Sequence, residues 1–199
     1  ILVEKNLPLD LPALIDTAVP AFGELITNPR EALLGFFADR LAVSLRDQGY
    51  SAQEVDAVLA LNPSRLGDVP RRLEAVRAFA ALPEAASLAA ANKRVGNILK
   101  KIEGELPTAV DAALLQEAAE QALAAALAEV QPQADTLFEQ HDYAGSLKAL
   151  AALKGPVDAF FDGVMVNADD AALRANRQAL LNRLHAAMNR VADLSRLAS

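Results

Sequence analysis

Residues 88–101 read LAAANKRVGNILKK, and this stretch shows most directly how the chain folds. When Leu88 is placed at the origin of a helical wheel, Val95 and Leu99 fall within about 20° of it. Apolar residues at this spacing form the buried stripe of an amphipathic helix. The stretch therefore predicts an α-helix, which we extend back to Pro83.

The opposite side of this predicted helix is basic. Four positive charges and no negative charge fall within residues 92–101. The residues of this face are Lys93, Asn97 and Lys100, with Arg94 and Lys101 on its flanks. Such a face can contact phosphates through its cations and a base edge through its amide. An ordinary solvated helix surface is the alternative interpretation.

Two other residues of the helix need a structural reason. Asn92 lies on the apolar side, where a buried amide is expected to be hydrogen-bonded to backbone. Gly96 lies inside the helix, where glycine costs about 1 kcal/mol relative to alanine. Close approach of another helix, or of a ligand, would explain this glycine.

The rest of the chain repeats the helical pattern. It is rich in Ala and Leu, poor in strand formers, and punctuated by Pro and Gly. We therefore expect an all-α fold, a multi-helix bundle of about nine or ten helices. The expected helices include one after Pro29 with a core stripe of Leu33, Phe36, Phe37, Leu41 and Val43 or Leu45, a long one over 108–130, one starting at Pro132, and a terminal one over 167–197.

Acidic residues are concentrated in one part of the chain. The sequence has 26 Asp and Glu against 19 Lys and Arg, which gives a net charge of -7. Nine of these carboxylates, and no Lys or Arg, lie within residues 102–147. The net charge excludes a uniformly cationic nucleic-acid binder but allows a local basic surface. We expect the acidic block to form a solvated helical face or a protruding helix pair.

The predicted terminal helix carries a second basic set. Its arginines are Arg174, Arg177, Arg183, Arg190 and Arg196, and its polar face also includes Gln178, His185 and Asn189. Guanidinium groups suit bidentate phosphate contacts and stacking on bases. Ordinary surface arginines are the alternative interpretation.

Signals of catalysis are weak in this sequence. The absence of Cys excludes a disulfide framework and thiolate sites, and two His do not suit a His-rich metal site. His141–Asp142 matches the dipeptide of HD hydrolases, and a hydrolase is kept as a rival hypothesis. We expect no catalytic residue and no metal ligand. Neither a membrane span nor a signal peptide is expected.

Four segments of the sequence occur in the same order in a known family. They are LAAANKRVGNILKK, FFADRLAVSLRDQGYSAQEVDAVLAL (36–61), PVDAFFDGVMVNADDAALRANRQALLNRL (156–184) and RVADLSRL (190–197). In this respect the whole chain resembles the C-terminal region of bacterial glycyl-tRNA synthetase beta subunits, which implies a DALR-type anticodon-binding domain. The Asp-Ala-Leu-Arg motif that gives this domain its name reads Asp170-Ala171-Ala172-Leu173-Arg174 in this chain, with one residue inserted.

The resemblance implies a part of a class II glycine–tRNA ligase, a heterotetramer of two alpha and two beta subunits. The holoenzyme would use ATP and Mg elsewhere, so this fragment needs no cofactor and lacks activity alone. Its expected partners are the anticodon region of glycine tRNA, the remainder of the beta subunit and the alpha subunit, in the cytoplasm, with no DNA and no membrane. Residues 1–28 would end a preceding helical region, and residues 29–199 would form the anticodon-binding domain, with an acidic helical insertion at about 102–147.

The resemblance also gives the basic residues a role in binding tRNA. One wall would consist of Lys93, Arg94, Asn97, Lys100 and Lys101, joined by Arg177 and Arg183 from the last helix, with Arg40 and the ring of Tyr50 as secondary contacts. The alternative function is a helical protein–protein docking module for subunit assembly. An exposed apolar patch would favour docking, whereas opposed positive and negative faces would favour RNA.

Overall fold

Helices make up all the regular secondary structure of residues 1–198, the part of the chain that a computed structural model describes. The α-helices are α1 (Leu11–Ala18), α2 (Arg30–Asp47), α3 (Ala52–Leu59), α4 (Val69–Ala80), α5 (Ala85–Leu99), α6 (Ala118–Glu139), α7 (Tyr143–Leu150), α8 (Lys154–Gly163) and α9 (Ala171–Met188). Short 3-10 helices lie at Val19–Leu25, Leu66–Asp68, Ala112–Leu114, Ala151–Leu153 and Leu194–Leu197. The predicted all-α fold is confirmed. None of these helices is long and apolar enough to cross a membrane.

The helix first identified in the sequence, α5, lies within the bundle. It contacts α4, α8, α9 and the 3-10 helix Leu194–Leu197. Its inner side is the predicted stripe, since Leu88 and Val95 are fully buried and Leu99 is nearly so. Burying one such side chain contributes about 1.5–3 kcal/mol. This packing fixes which side of α5 is left in solvent.

The long Ala-rich helix differs from its prediction at both ends. Residues 103–111 are irregular, and α6 starts only at Ala118, where Glu117 and Glu120 form a capping box. The predicted helix start at Pro132 is also wrong, because α6 continues through this residue. A proline inside a helix removes one backbone hydrogen bond and crowds the carbonyl four residues earlier, but α6 as a whole packs against α7 and α8.

Of the two arrangements expected for the acidic stretch, the protruding helix pair is not found, whereas Glu117, Glu129 and Glu139 are exposed as on a solvated helical face. Leu123, Leu127 and Ala134 of α6 are buried, and the helix packs against α7, α8 and α9. Three carboxylates of α6 form salt bridges with Arg177 of α9 and with Arg190, which follows this helix. The acidic and the arginine-rich segments therefore neutralise one another within the bundle. The domain limits at residues 28 and 29 stay predictions.

The predicted core stripe of α2 is largely exposed. This helix contacts α1 and α3, and it buries only Leu45. Phe36 and Val43, by contrast, are 52% and 54% exposed. The stripe was assigned to a core because of its spacing, but no helix within residues 1–198 covers it. An apolar surface is therefore left on the N-terminal part of the chain.

The terminal helix ends earlier than predicted, at Met188. Asn189 follows it and closes a turn, since its side-chain oxygen accepts the Leu194 N–H at 3.1 Å and its amide donates to the His185 carbonyl at 2.8 Å. The chain then returns toward α3, where the Asp193 N–H donates to the Ala57 carbonyl at 2.8 Å. This turn places a polar segment beside the basic side of α5.

Candidate nucleic-acid interface

The basic side of α5 forms one wall of an open cleft of about 620 Å3. The residues of this wall are Lys93, Gly96, Asn97 and Lys100. The facing wall comes from α9 and the turn after it, and its residues are His185, Asn189, Asp193, Ser195 and Arg196. Three of the predicted tRNA contacts therefore line one cleft, which the end of α9 completes.

A pair of asparagines joins the two walls. The Asn92 amide donates to the Asn189 side-chain oxygen at 2.8 Å, and the Asn189 amide donates back to the Asn92 oxygen at 3.0 Å. Asn92 is fully buried, as expected, but its partner is a side chain rather than backbone. Because a buried amide without a partner is costly, this reciprocal pair fixes the cleft geometry.

Gly96 lies directly beneath His185. A methyl group built at Gly96 would lie 3.5 Å from the imidazole Nε2. Helix α9 therefore lies at an ordinary contact distance from this position, and the glycine is not explained by close approach of another helix. Burial lowers the pKa of His185 below its ordinary value, the nearby Lys100 lowers it further, and Asp193 opposes them. Burial and Lys100 therefore favour the neutral form of the imidazole.

Neither of the two cleft lysines has an acidic partner within the described chain. None of the salt bridges within residues 1–198 involves Lys93 or Lys100. Arg196 on the facing wall pairs with Asp193 at 3.2 Å. Exposed lysines without a carboxylate neighbour keep their full charge for an anionic ligand. The chain is acidic overall, but the rim of this cleft is locally positive.

Arg94 and Lys101 lie outside the cleft lining. The Arg94 guanidinium stacks over the Phe161 ring of α8 at 4.3 Å from its centre. Lys101 is exposed just beyond the end of α5. The predicted five-residue wall therefore divides, with three members in the cleft and two on its flanks.

Arg177 occupies a different place from the one expected for a tRNA contact. It is 6% exposed, and its Nε donates to the fully buried Glu120 carboxylate at 2.7 Å. Burial raises the pKa of Glu120, but the hydrogen bonds from Arg177 and from backbone amides outweigh burial and hold the pKa below its ordinary value. The guanidinium also donates to the Met165 carbonyl. Arg177 joins α9 to α6 internally, and we remove it from the candidate surface.

Two further arginines of the basic set, Arg183 of α9 and Arg190 just after it, are also engaged within the fold. Arg183 is half-buried and donates to the Gln131 side-chain oxygen of α6 at 2.9 Å. Arg190 bridges Asp135 and Glu139, each at 2.7 Å. Arg183 therefore faces α6 and does not join the α5 wall. Of the predicted basic set, Arg177 and Arg190 neutralise carboxylates of the acidic helix α6.

The two secondary contacts lie apart from the cleft. Arg40 is exposed on α2, with its guanidinium 5.3 Å from the centre of the Phe36 ring. The face of the Tyr50 ring is covered by the Arg77 guanidinium at 4.6 Å. The hydrogen bond from Arg77 lowers the pKa of Glu54 to about 2, and this ion pair holds the guanidinium in place. Tyr50 therefore presents no free ring face for stacking on that side.

The hydrolase hypothesis finds no support in the geometry of its dipeptide. His141 adopts a left-handed backbone conformation at φ 60° and its Nδ1 lies 2.9 Å from the Tyr143 hydroxyl. Asp142 caps α7 by accepting the Gly145 N–H at 2.8 Å. In residues 1–198 no group of three or more His, Cys, Asp or Glu could hold a metal ion. Both residues serve the turn between α6 and α7.

The first and last residues of the Asp170–Arg174 motif have a structural role. Asp170 caps α9 by accepting the N–H groups of Ala172 and Leu173 at 2.7 and 3.0 Å. Arg174 donates to the Ala168 carbonyl, which ties the preceding loop to the helix. These contacts fix the start of α9. The other end of the same helix contributes to one wall of the cleft.

Sequence reasoning found the α5 wall but missed part of the facing wall. His185, Asn189 and Arg196 were assigned to a polar face, without a link to α5. Asp193 and Ser195 carried only a local signal, since the Asp193 carboxylate caps the following turn by accepting the Ser195 N–H at 3.1 Å. No local pattern indicates that this turn lies against α5.

Comparison with known proteins places this geometry in a family. The family profile described as DALR anticodon binding domain matches residues 88–194, which include most of α5, all of α6 to α9, and the cleft residues named above except Ser195 and Arg196. Over all of its 199 residues the chain is 76% identical to the glycine–tRNA ligase beta subunit of Leptothrix cholodnii. The beta subunits of Polaromonas naphthalenivorans and a Janthinobacterium species are 65% and 64% identical over 98% and 100% of the chain. The chain spans 28% of the length of each of these three relatives. The resemblance found in the sequence is thus confirmed, and the chain belongs to the DALR anticodon-binding domain family.

Proposed function

We propose that the chain binds the anticodon region of a glycine tRNA in the cleft between α5 and the end of α9. It acts as the anticodon-binding part of a glycine–tRNA ligase beta subunit. Its role is positional: holding the anticodon fixes where the acceptor end of the tRNA arrives, far from this domain. The ligase reaction, with its ATP and Mg, takes place outside this chain, in a cytoplasmic holoenzyme with an alpha subunit.

The observation that carries the proposal is the unpaired basic rim within the segment that matches the family. Lys93 and Lys100 are exposed and have no salt bridge within the described chain, although carboxylates outnumber cations overall. Asn97 lies between them on the same wall. Cations that contact phosphates, with an amide that can reach a base edge, suit a single-stranded RNA loop. The relatives' names supply the identity of the tRNA.

A salt-dependent titration tests the proposal. The chain is titrated with an anticodon stem-loop carrying a glycine anticodon and with one carrying an unrelated anticodon. Affinity is expected to fall with salt by about 0.7 logarithmic units per tenfold salt for each contacted phosphate. The glycine stem-loop is expected to bind more tightly at every salt concentration. Equal affinity for the two stem-loops would contradict anticodon recognition.

A second candidate function, docking to other protein, is favoured by the N-terminal apolar surface. A groove of about 370 Å3 lies between α1, α2 and the connection from α3 to α4, and Phe36 and Val43 are exposed on another side of α2. Its apolar lining includes Leu11, Leu34, Phe37, Leu41, Leu59 and Leu66. It shares no lining residue with the basic cleft. Because the relatives are several times longer, we propose the remainder of a beta subunit as the occupant.

The docking proposal predicts a separation between stability and assembly. The double substitution Phe36→Ser and Val43→Ser changes two side chains that are more than half exposed, so it should alter the stability of the chain by only about 0.5 kcal/mol. In the full-length subunit it should weaken packing against the rest of the chain. Limited proteolysis measures this as faster release of the domain. An unchanged cleavage rate would contradict the proposed contact.

A further inference from the structure

The cleft contains features that phosphate binding does not explain. Phosphates require cations at the rim, whereas the floor is formed by Gly96 and by His185, whose neutral form is favoured. The glycine is costly in a helix interior, by about 1 kcal/mol relative to alanine. It is not required by crowding, because a methyl group at this site would meet His185 at 3.5 Å, an ordinary contact distance. The backbone at Gly96 also lies outside the left-handed region.

The effect of glycine at this position is to uncover the imidazole. A methyl group there would lie against Nε2 and within 3.9 Å of Cδ2, and would shield this edge of the ring. The neutral ring carries one donor and one acceptor nitrogen, as a base edge does. The backbone of His185 is held in place by Asn189, whose side-chain amide donates to the His185 carbonyl at 2.8 Å. Asn97, the next residue along α5, adds an exposed amide to the same cleft.

We propose that the cleft receives one unstacked nucleobase of the bound RNA, whose polar edge is read by His185 Nε2 and the Asn97 amide. Lys93 and Lys100 hold the phosphates on either side of this nucleotide. The cleft volume of about 620 Å3 lies within the range of roughly 300–1,000 Å3 that is usual for ligand sites. Bases in single-stranded loops are free to turn out and be read on their edges. This inference rests on the proposed function and names its specificity residues.

The substitution Gly96→Ala tests the pocket without removing any contact group. It improves helix propensity and meets no close neighbour, so the thermal midpoint should be unchanged or higher. RNA affinity should nevertheless fall about tenfold, the loss of roughly one base contact. The salt slope should stay as in the unaltered chain, because the lysines remain. Gly35→Ala is the matched control, since it also adds a methyl group inside a helix, in open space away from the cleft.

Coupling to a single nucleotide provides the decisive measurement. Stem-loops with a glycine anticodon are prepared with each loop nucleotide in turn replaced by an abasic residue. In the unaltered chain one abasic position should weaken binding about tenfold, and in Gly96→Ala and Asn97→Ala the same position should have little further effect. Independent, additive losses at every position would overturn the base pocket. If the unaltered chain bound stem-loops with different anticodons equally well, the proposed function itself would be overturned. The two failures are therefore distinct.

Discussion

Replacing Arg177 with Met is expected to lower the free energy of unfolding by about 3–5 kcal/mol, as breaking a buried ion pair does. The Glu120 carboxylate is fully buried, and Arg177 supplies its only side-chain cation within the described structure, at 2.7 Å. Without Arg177 a buried negative charge keeps only the backbone donors of Gln116 and Glu117. Urea denaturation followed by circular dichroism measures the change.

Two further variants show whether the lost charge pair is the cause. Arg183→Met, on the same helix, removes one hydrogen bond to a neutral side chain and should cost only about 1 kcal/mol. Adding Glu120→Gln to Arg177→Met should recover part of the loss, because the buried charge is then gone. The internal role of Arg177 would be contradicted if Arg177→Met lost less free energy of unfolding than Arg183→Met. It would also be contradicted if the double variant were no more stable than Arg177→Met.

Reversing both cleft lysines, by Lys93→Glu and Lys100→Glu, is expected to weaken binding of glycine tRNA about 100-fold at low salt. The change replaces two favourable phosphate interactions with two repulsions, and four such changes of about 0.7 kcal/mol each amount to a factor of this size. The salt slope should also become shallower by about 1.4, which corresponds to two phosphates. Fluorescence anisotropy at several salt concentrations measures both quantities. Circular dichroism should show unchanged helicity, because both side chains are exposed.

The control for this variant must change the net charge equally. Lys5→Glu with Lys148→Glu gives the same change of four units at exposed positions outside the cleft. If RNA is bound at the cleft, the control should reduce affinity only weakly. Equal losses in the two double variants would show that affinity follows the overall charge of the chain and would move the site elsewhere.

Most of the fold could be predicted because helices are local. The buried stripe of α5 and the all-α class both follow from spacing within a few residues. The predictions that proved wrong depended on distant packing. The stripe of α2 has helical spacing, but spacing does not show whether another helix covers it. Pro132 carries a strong break signal, yet the neighbouring helices keep α6 continuous.

The candidate site divides in the same way. Lys93, Asn97 and Lys100 could be placed together because they share one face of one helix. The sequence could not separate buried from exposed arginines on α9. The burial of Arg177 depends on Glu120, which lies 57 residues earlier in the sequence. The tertiary structure also removed Tyr50 from the candidates by placing Arg77 over its ring.

The sequence by itself determined that the chain is helical, that α5 has an apolar and a basic side, and that its motifs resemble a DALR anticodon-binding domain. These properties depend on residue order over one or a few turns of helix. Only the tertiary structure decided which cations remain free, because a cation is neutralised by whatever lies opposite it in space. It paired Arg177 and Arg190 with the acidic helix α6, and it left Lys93 and Lys100 beside His185 and Asn189 in an open cleft.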